Sequence, residues 1–521
     1  MRKGANGGEF EFPVAPHRFP AFPEHANLQD WILSHERPLI YHIARLTALP
    51  PTTRTTPMFS FCDRDPRLGR RCFLQAGAFA GTGFGLPSLL QAAAAQSAVL
   101  RDRSVIFLFL HGGPSQTETF DPKMTAPVGI QSATGELQTR VPGVTFGGTF
   151  PLLAARADQF TIVRSFVTGD GNHDIKPILG RHSLDANLGS LYSRVAGTNR
   201  PGTGLPTNVA LFPQAVQPSA QPFVKSFGDF TSAGKLGGGY RPFVPGGGGE
   251  AQENMQLQLD RTRLDDRRAL LTQLDGLRRG VDRSGMLAGM DRIRQQAFET
   301  LIGGAAQAFD LSSEDPAVVA RYDTAALLRP DDISRRWNNH RNYVDNVQSL
   351  GKLLLLARRL CEAGCGFVTV TTNFVWDMHA DANNAGVAEG MRYMGGPLDH
   401  ALSAFLDDVR QRGLEDRILL VACGEMGRTP RINSNGGRDH WGGLAPLLVA
   451  GGGYPGGQVI GQSSRDAGEP ASSPITIPSL ISTILHNVFD VGVLRLAPGI
   501  PREITQQLAA ASPIPELSPT I

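Results

Sequence analysis

The run at residues 104–110, S-V-I-F-L-F-L, is apolar at every position after Ser104. Side chains of a strand alternate between its two faces, so a strand of this composition must be covered on both faces. Such strands are typical of parallel sheets in α/β proteins. Comparable strand-length runs occur at residues 160–166, 366–371, 417–422 and 444–450.

A helix is predicted between two of these strands. Within residues 397–412, apolar side chains recur at the spacing of one helical face, and these are Leu398, Leu402, Phe405, Leu406 and Val409. The succession of strand, helix and strand predicts a doubly wound α/β domain with a mostly parallel sheet. Ligands of such sheets bind beyond the carboxyl ends of the strands.

The middle of the chain has a different pattern. Residues 251–311 are charged and carry leucines at helical spacing, and a second helical section at 332–360 includes the string W-N-N-H-R-N-Y at 337–343. We predict that residues 251–360 form a helical subdomain or lid inserted into the α/β domain. The two parts of that domain are then residues 98–250 and 361–521, and the second carries most of the candidate site.

The N-terminal region predicts export. Residues 1–60 are rich in Pro, His, Arg and Thr without periodicity, which favours disorder. Within residues 61–97, the sequence R-R-C-F-L begins at Arg70 and precedes a Gly/Ala-rich apolar run, as in a twin-arginine signal; a short buried helix is the alternative. We expect the twin-arginine machinery as a partner, a periplasmic or secreted location, and no stable membrane span in the mature form. We expect the true start at or near Met58 and not at Met1, because signals of this kind lie close to an N-terminus.

Composition excludes several functional classes. The 521 residues carry a formal net charge of +2 and only 19% charged side chains, so nothing favours binding to nucleic acid. The five cysteines include no C-x-x-C pair, which argues against a zinc ribbon or a thioredoxin-type site.

The segment W-D-M-H at residues 376–379 follows a predicted strand. In extended backbone Asp377 and His379 project to the same side, where an oxygen and a nitrogen ligand can meet one cation such as zinc or manganese. The alternative is a hydrogen-bonded His–Asp pair that holds a loop.

Residues 423–441 contain the densest group of chemical side chains. Glu425 is a candidate ligand or general base, and His440 is a candidate ligand or acid/base, with Asp439 next in order. Arg428 is a candidate holder of phosphate or sulfate oxygens, although a solvated arginine face is the alternative.

Two further histidines follow predicted strands. His111 opens the loop H-G-G-P-S, whose glycine N–H groups could bind an anion, and it is a candidate metal ligand. No G-x-S-x-G elbow accompanies this loop, which argues against a serine hydrolase. His173, in G-D-G-N-H-D, is a candidate catalytic residue or ligand, or else a structural residue of its loop.

Several motifs together resemble the domain of unknown function 1501 family, which belongs beside the sulfatases in the alkaline phosphatase superfamily. They are H-G-G-P-S-Q-T-E-T-F-D-P-K from residue 111, W-D-M-H from 376, G-E-M-G-R-T-P-R-I-N from 424, G-R-D-H-W from 437 and G-G-G-Y-P-G-G-Q-V-I-G from 451. The resemblance implies an alkaline phosphatase/sulfatase-like fold, export by the twin-arginine route, and metal ligands at Asp377, His379, Glu425 and His440. It also implies an aspartate where His111 stands and a nucleophile where residues 172–174 stand.

The leading hypothesis is an exported, metal-dependent hydrolase of phosphate or sulfate esters, with a small-molecule or glycan substrate. A divalent Zn, Mn or Ca ion would activate a water as the attacking group. A second hypothesis is a non-catalytic, sulfatase-like binding protein of the cell envelope. A third is a serine esterase that uses Ser115.

Overall fold

In the computed structural model, which describes residues 98–246 and 305–517, seven strands form a central sheet. The strands are β1 Ser104–Phe109, β2 Phe160–Val163, β3 Asn208–Leu211, β4 Phe367–Thr371, β5 Ile418–Cys423, β6 Leu447–Gly451 and β7 Gln458–Ile460. The predicted disordered extension, the export signal and the first part of the predicted insertion lie outside the described residues.

The sheet is mostly parallel, as predicted. Its strand order is β7-β2-β6-β5-β1-β4-β3. Strand β1 lies at the centre and pairs in parallel with β4 and β5, whereas β6 runs antiparallel to β2 and β5. The carboxyl ends of β1, β4 and β5 therefore meet at one edge, where the candidate site lies.

Alternation along β1 explains why it is apolar at every position. Val105, Phe107 and Phe109 belong to the hydrophobic core on one face of the sheet, and Ile106 and Leu108 belong to the core on the other. Helices cover both faces, which gives the three layers of a doubly wound α/β fold.

Nine α-helices are present in the described residues. They are α1 Pro151–Ala154, α2 Leu188–Ala196, α3 Ala306–Phe309, α4 Pro316–Tyr322, α5 His340–Glu362, α6 Val387–Gln411, α7 Ile477–Val488, α8 Val491–Leu494 and α9 Arg502–Ala509. No helix among these described residues is long and apolar enough to cross a bilayer.

Helix α6 begins ten residues before the predicted start at Pro397 (397 − 387 = 10). Proline is common in the first turn of a helix and unfavourable in its interior. The helix instead continues through Pro397, because Met391 and Met394 in the preceding turns are fully buried in the core.

Helix α5 contains the end of the predicted insertion. Its leucines Leu353 to Leu356 are buried in the same core as Ile106 and Val368 of the central strands. The predicted boundary at residue 360 thus falls inside a helix that packs on the sheet.

Candidate metal centre

Four side chains converge beyond the carboxyl edge of the sheet: His173, Asp377, His379 and His440. One ligand atom from each lies within 4.8 Å of all the others. Asp377 Oδ1 is 2.8 Å from His379 Nε2, 3.2 Å from His440 Nε2 and 3.5 Å from His173 Nε2. Ligand atoms at zinc-like bond lengths would form a tetrahedron with edges of roughly 3.4 Å. The four atoms therefore form a candidate site for one cation.

Asp377 and His379 reach the cluster from the loop after β4. The backbone N–H groups of Val375 and Trp376 donate to the carbonyl oxygen of His111, at 3.2 and 3.1 Å. This ties the loop to the end of β1. Two tight backbone hydrogen bonds follow, from Met378 N–H to Trp376 and from His379 N–H to Asp377, and the side chains of Asp377 and His379 meet in the cluster.

His440 comes from a two-stranded ribbon, Gly427–Arg428 paired with His440–Trp441. The register sets His440 opposite Arg428. Its side chain is 35% exposed, against 9% for Asp377, so the cluster opens to solvent on the His440 side.

His173 is held by a loop whose ends are both anchored. At one end, the N–H groups of Thr168 and Gly169 donate to the carbonyl oxygen of Gly442. At the other, Lys176 Nζ donates to carboxylates on either side of His173, at 2.6 Å to Asp170 Oδ1 and 2.8 Å to Asp174 Oδ1.

Glu425 lies behind His173. Its Oε1 is 2.8 Å from His173 Nδ1, and it also accepts the N–H of Gly112 at 3.0 Å. A carboxylate can only accept, so Glu425 holds a ring proton on Nδ1 of His173, and the Nε2 side of the ring faces the cluster. The sequence offered Glu425 as a metal ligand or general base; the structure places its carboxylate behind the ring of His173 and outside the four-membered cluster.

Asp439 has the same relation to His379. Its Oδ1 is 3.3 Å from His379 Nδ1, and its side chain is 57% exposed. The structure therefore places Asp439 on the outer side of the His379 ring, while the adjacent His440 faces the cluster. This is expected, because adjacent side chains in extended backbone point in opposite directions.

Arg428 is a buried residue of the site and does not belong to a solvated face. Its Nη2 is 2.5 Å from Asp377 Oδ1, and its Nε donates to the carbonyl oxygen of Gly113 at 2.8 Å. A further hydrogen bond runs to the carbonyl oxygen of Gly112. The guanidinium thus joins the loop after β1 to the central carboxylate.

His111 is not brought into the cluster. Its ring packs against Phe230 and Phe374, and its Nε2 has no hydrogen-bond partner in the described part of the chain. Burial lowers the pKa of His111 to about 4, so the ring is neutral. The backbone of Gly112, with φ of 114°, turns the chain at this point, and the glycine N–H rather than the histidine ring reaches the site.

Ser115 also lies apart from the cluster. Its side-chain oxygen accepts the N–H of Glu118 at 3.3 Å, which caps the turn that follows the H-G-G-P loop. This local role gives no support to the serine esterase hypothesis.

Charge in the centre is concentrated on Asp377. Burial alone would raise its pKa, but the neighbouring imidazoles of His173, His379 and His440 and the charge of Arg428 hold the pKa of Asp377 far below its usual value. For His173 burial acts in the opposite direction and lowers the pKa. The neighbouring carboxylates of Asp377 and Glu425 nevertheless raise the pKa of His173 overall. The site thus keeps an ionised carboxylate among imidazoles, a donor set suited to a cation.

The profile described as "Protein of unknown function (DUF1501)" matches residues 102–491. The chain belongs to the DUF1501 family. This confirms the family that the sequence motifs indicated, and every residue of the four-membered cluster lies within the matched part. No curated protein sequence matches this DUF1501 chain significantly.

Solved structures with a similar backbone include two kinds of hydrolase. The PsFucS1 sulfatase from Pseudoalteromonas sp. is 11% identical, with a TM-score of 0.33, over 79% of this chain and 71% of its own. The phosphonate monoester hydrolase SpPMH from Silicibacter pomeroyi is 12% identical, with a TM-score of 0.29, over 74% of this chain and 73% of its own.

Lys176 and Asn384 were not among the predicted site residues. Asn384 donates to Asp377 Oδ2 at 3.1 Å. Asn384 follows His379 in a short polar stretch with Asp381 and Asn383, and that pattern is the signal from which it could have been found. For Lys176 the only signal was its position near two aspartates, a pattern that is equally common in solvated loops.

Proposed function

We propose that this DUF1501 protein is a metal-dependent hydrolase of phosphate or sulfate esters. The observation that carries the proposal is the convergence of three imidazole Nε2 atoms and one carboxylate oxygen at the edge where α/β sheets bind ligands. His173, Asp377, His379 and His440 would hold the cation.

The donor set bears on which cation fits. Three nitrogens and one oxygen suit zinc or manganese, whereas calcium takes six to eight oxygen ligands. A cation bound there would polarise an ester oxygen and lower the pKa of water to about 7.

The remaining residues orient this set. Glu425 and Asp439 keep the ring protons of His173 and His379 on Nδ1, which leaves each Nε2 as a ligand. Arg428 donates to Asp377 Oδ1, and its guanidinium would place a fixed positive charge beside the bound ester. The exposed side of His440 is the side from which a substrate would approach.

Water is the proposed nucleophile because the cluster contributes imidazoles and a carboxylate but no hydroxyl. Its oxygen bonds to phosphorus or sulfur, the ester bond breaks, and the alcohol leaves with a proton. The same lack of a hydroxyl favours the second candidate, a non-catalytic binding protein of the cell envelope.

Export is part of the proposal and rests on the sequence around Arg70 and Arg71. We propose a periplasmic or secreted location reached by the twin-arginine route. Replacing both arginines with lysine should retain the protein in the cytoplasm, and fractionation of expressing cells measures this.

Metal analysis of the purified full chain tests the function. We expect about one zinc or manganese ion per chain, lost in Asp377→Ala and His379→Ala but kept in the control His486→Gln, whose ring on α7 bonds to Ser482. Aryl phosphate and aryl sulfate esters should be hydrolysed after addition of Zn²⁺ or Mn²⁺. Absence of metal from the wild type overturns the proposal, and bound metal without turnover supports the binding protein instead.

A further inference from the structure

Two adjacent asparagines before α5 contact the chain that follows Asp377 and His379. Asn338 Nδ2 donates to Asn383 Oδ1 at 2.8 Å, and Asn339 Nδ2 donates to Asn384 Oδ1 at 2.7 Å. The backbone N–H groups of the same two asparagines donate to the carbonyl oxygens of residues 382 and 383. The two side-chain bonds are therefore parallel and nearly equal in length.

Of these two bonds, the one from Asn339 continues into the cluster. Asn384 is 2% exposed, and its Nδ2 donates to Asp377 Oδ2. Asp377 then has one oxygen held by Asn384 and the other, Oδ1, directed at the three imidazoles. Asn383, by contrast, lies on the exposed side of the loop.

The orientation of the Asn384 amide depends on Asn339. If the amide were flipped, its oxygen would face the Asp377 carboxylate and its NH₂ would face the NH₂ of Asn339. Both contacts would be repulsive. Asn339 is itself oriented, because Asn342 Nδ2 donates to its Oδ1 at 3.3 Å.

We propose that Asn339 is a positioning residue of the metal centre, acting through Asn384 on Asp377. The inference rests on the proposed function, since it concerns the same cation. It assigns a role to part of the W-N-N-H-R-N-Y string, whose polar residues the sequence analysis left without one. Groups that orient metal ligands typically change metal affinity by about 10–100-fold when replaced.

The neighbouring asparagine supplies a matched control. Asn339→Ala and Asn338→Ala each remove one side-chain bond between the same two segments, so a general loosening of the loop should affect both alike. Asn339→Asp keeps the shape but cannot donate to Asn384 Oδ1. It covers the case in which the alanine variant folds poorly.

The test measures Zn²⁺ affinity of the full chain by competition with a chromophoric chelator, and the visible spectrum of the Co²⁺-substituted protein. We expect affinity to fall about 10-fold in Asn339→Ala and Asn339→Asp, with an altered Co²⁺ spectrum, and to stay at the wild-type value in Asn338→Ala. Equal Zn²⁺ affinities in all variants overturn the proposed role of Asn339. An equal loss of affinity in Asn338→Ala overturns it too. A wild type that binds neither metal overturns the proposed function together with this inference.

Discussion

Oε1 of Glu425 lies 2.8 Å from Nδ1 of His173, and both side chains are largely buried. The same carboxylate accepts the N–H of Gly112 from the loop after β1. Glu425 thereby fixes both the tautomer and the tilt of a ring that comes from a long loop. A carboxylate behind a histidine is the usual arrangement at metal sites, where the outer group makes the imidazole more basic.

Replacing Glu425 should weaken metal binding without abolishing it. Glu425→Gln keeps an oxygen that can accept from His173 but loses the charge, and Glu425→Ala loses both. We expect Zn²⁺ affinity to fall by about 10-fold in the glutamine variant and further in the alanine variant. Competition titration measures the change. Complete loss of metal in Glu425→Gln would show instead that the carboxylate is a direct ligand, as the sequence predicted.

The loop that carries His173 should depend on Lys176. Its ammonium joins Asp170 and Asp174 and is only 12% exposed, so Lys176→Met removes the bonds on both sides of His173. We expect faster proteolysis of this loop and weaker Zn²⁺ binding. Overall stability should change little, because both aspartates are more than half exposed and ion pairs with exposed partners contribute little. Lys235→Met is the control, since that lysine pairs with Asp185 at 3.6 Å and is 71% exposed. Equal behaviour of the two variants would contradict the role of Lys176.

The fold was largely predictable because the central strands consist mainly of apolar residues. A strand covered on both faces is apolar along nearly its whole length, and β1 and β5 stand out for that reason. The start of α6 was not predictable, since Pro397 looks like a first-turn residue and only the tertiary packing of Met391 and Met394 carries the helix through it.

The sequence predicted which residues lie near one another in the site, but not what each side chain contacts. Position after a strand correctly places Asp377, His379 and Glu425 at one edge of the sheet. Position after a strand does not show which side chain faces the centre of the site. It therefore predicted the same role for His111 and His379, although His111 packs among phenylalanines. Contacts such as that between Asn339 and Asn384 join distant segments and leave no local pattern.

Asp399 should make stability depend on pH. Its carboxylate, 3% exposed, accepts the N–H groups of Leu152 and Leu153 at the start of α1. Burial nevertheless raises the pKa of Asp399 from its usual 3.8 to about 6. The folded state therefore binds the proton more tightly than the unfolded state, so stability is highest with Asp399 protonated and falls as pH rises from about 4 to 6.

The pKa of Asp399 differs by about two units between the folded and unfolded states, which corresponds to roughly 3 kcal/mol of stability. Asp399→Asn removes this titration. We therefore expect the free energy of unfolding of the variant, relative to the wild type, to rise between pH 4 and pH 6 and then to level off. Urea unfolding at several pH values measures it, and a difference that stays constant with pH would show that Asp399 keeps its usual pKa.

Breaking the ion pair between Glu118 and Arg438 should destabilise the protein strongly. Both side chains are fully buried, and Arg438 Nη2 donates to Glu118 Oε1 at 2.8 Å. Glu118→Gln leaves a buried guanidinium without its counter-charge, which typically costs about 3–5 kcal/mol. Arg438 directly precedes Asp439 and His440, so the variant should also weaken metal binding.

Asp331→Asn removes the exposed pair with Arg335 and should change stability far less, as measured by urea unfolding of the full chain. Similar losses in the two variants would mean that the buried pair contributes no more than an exposed one.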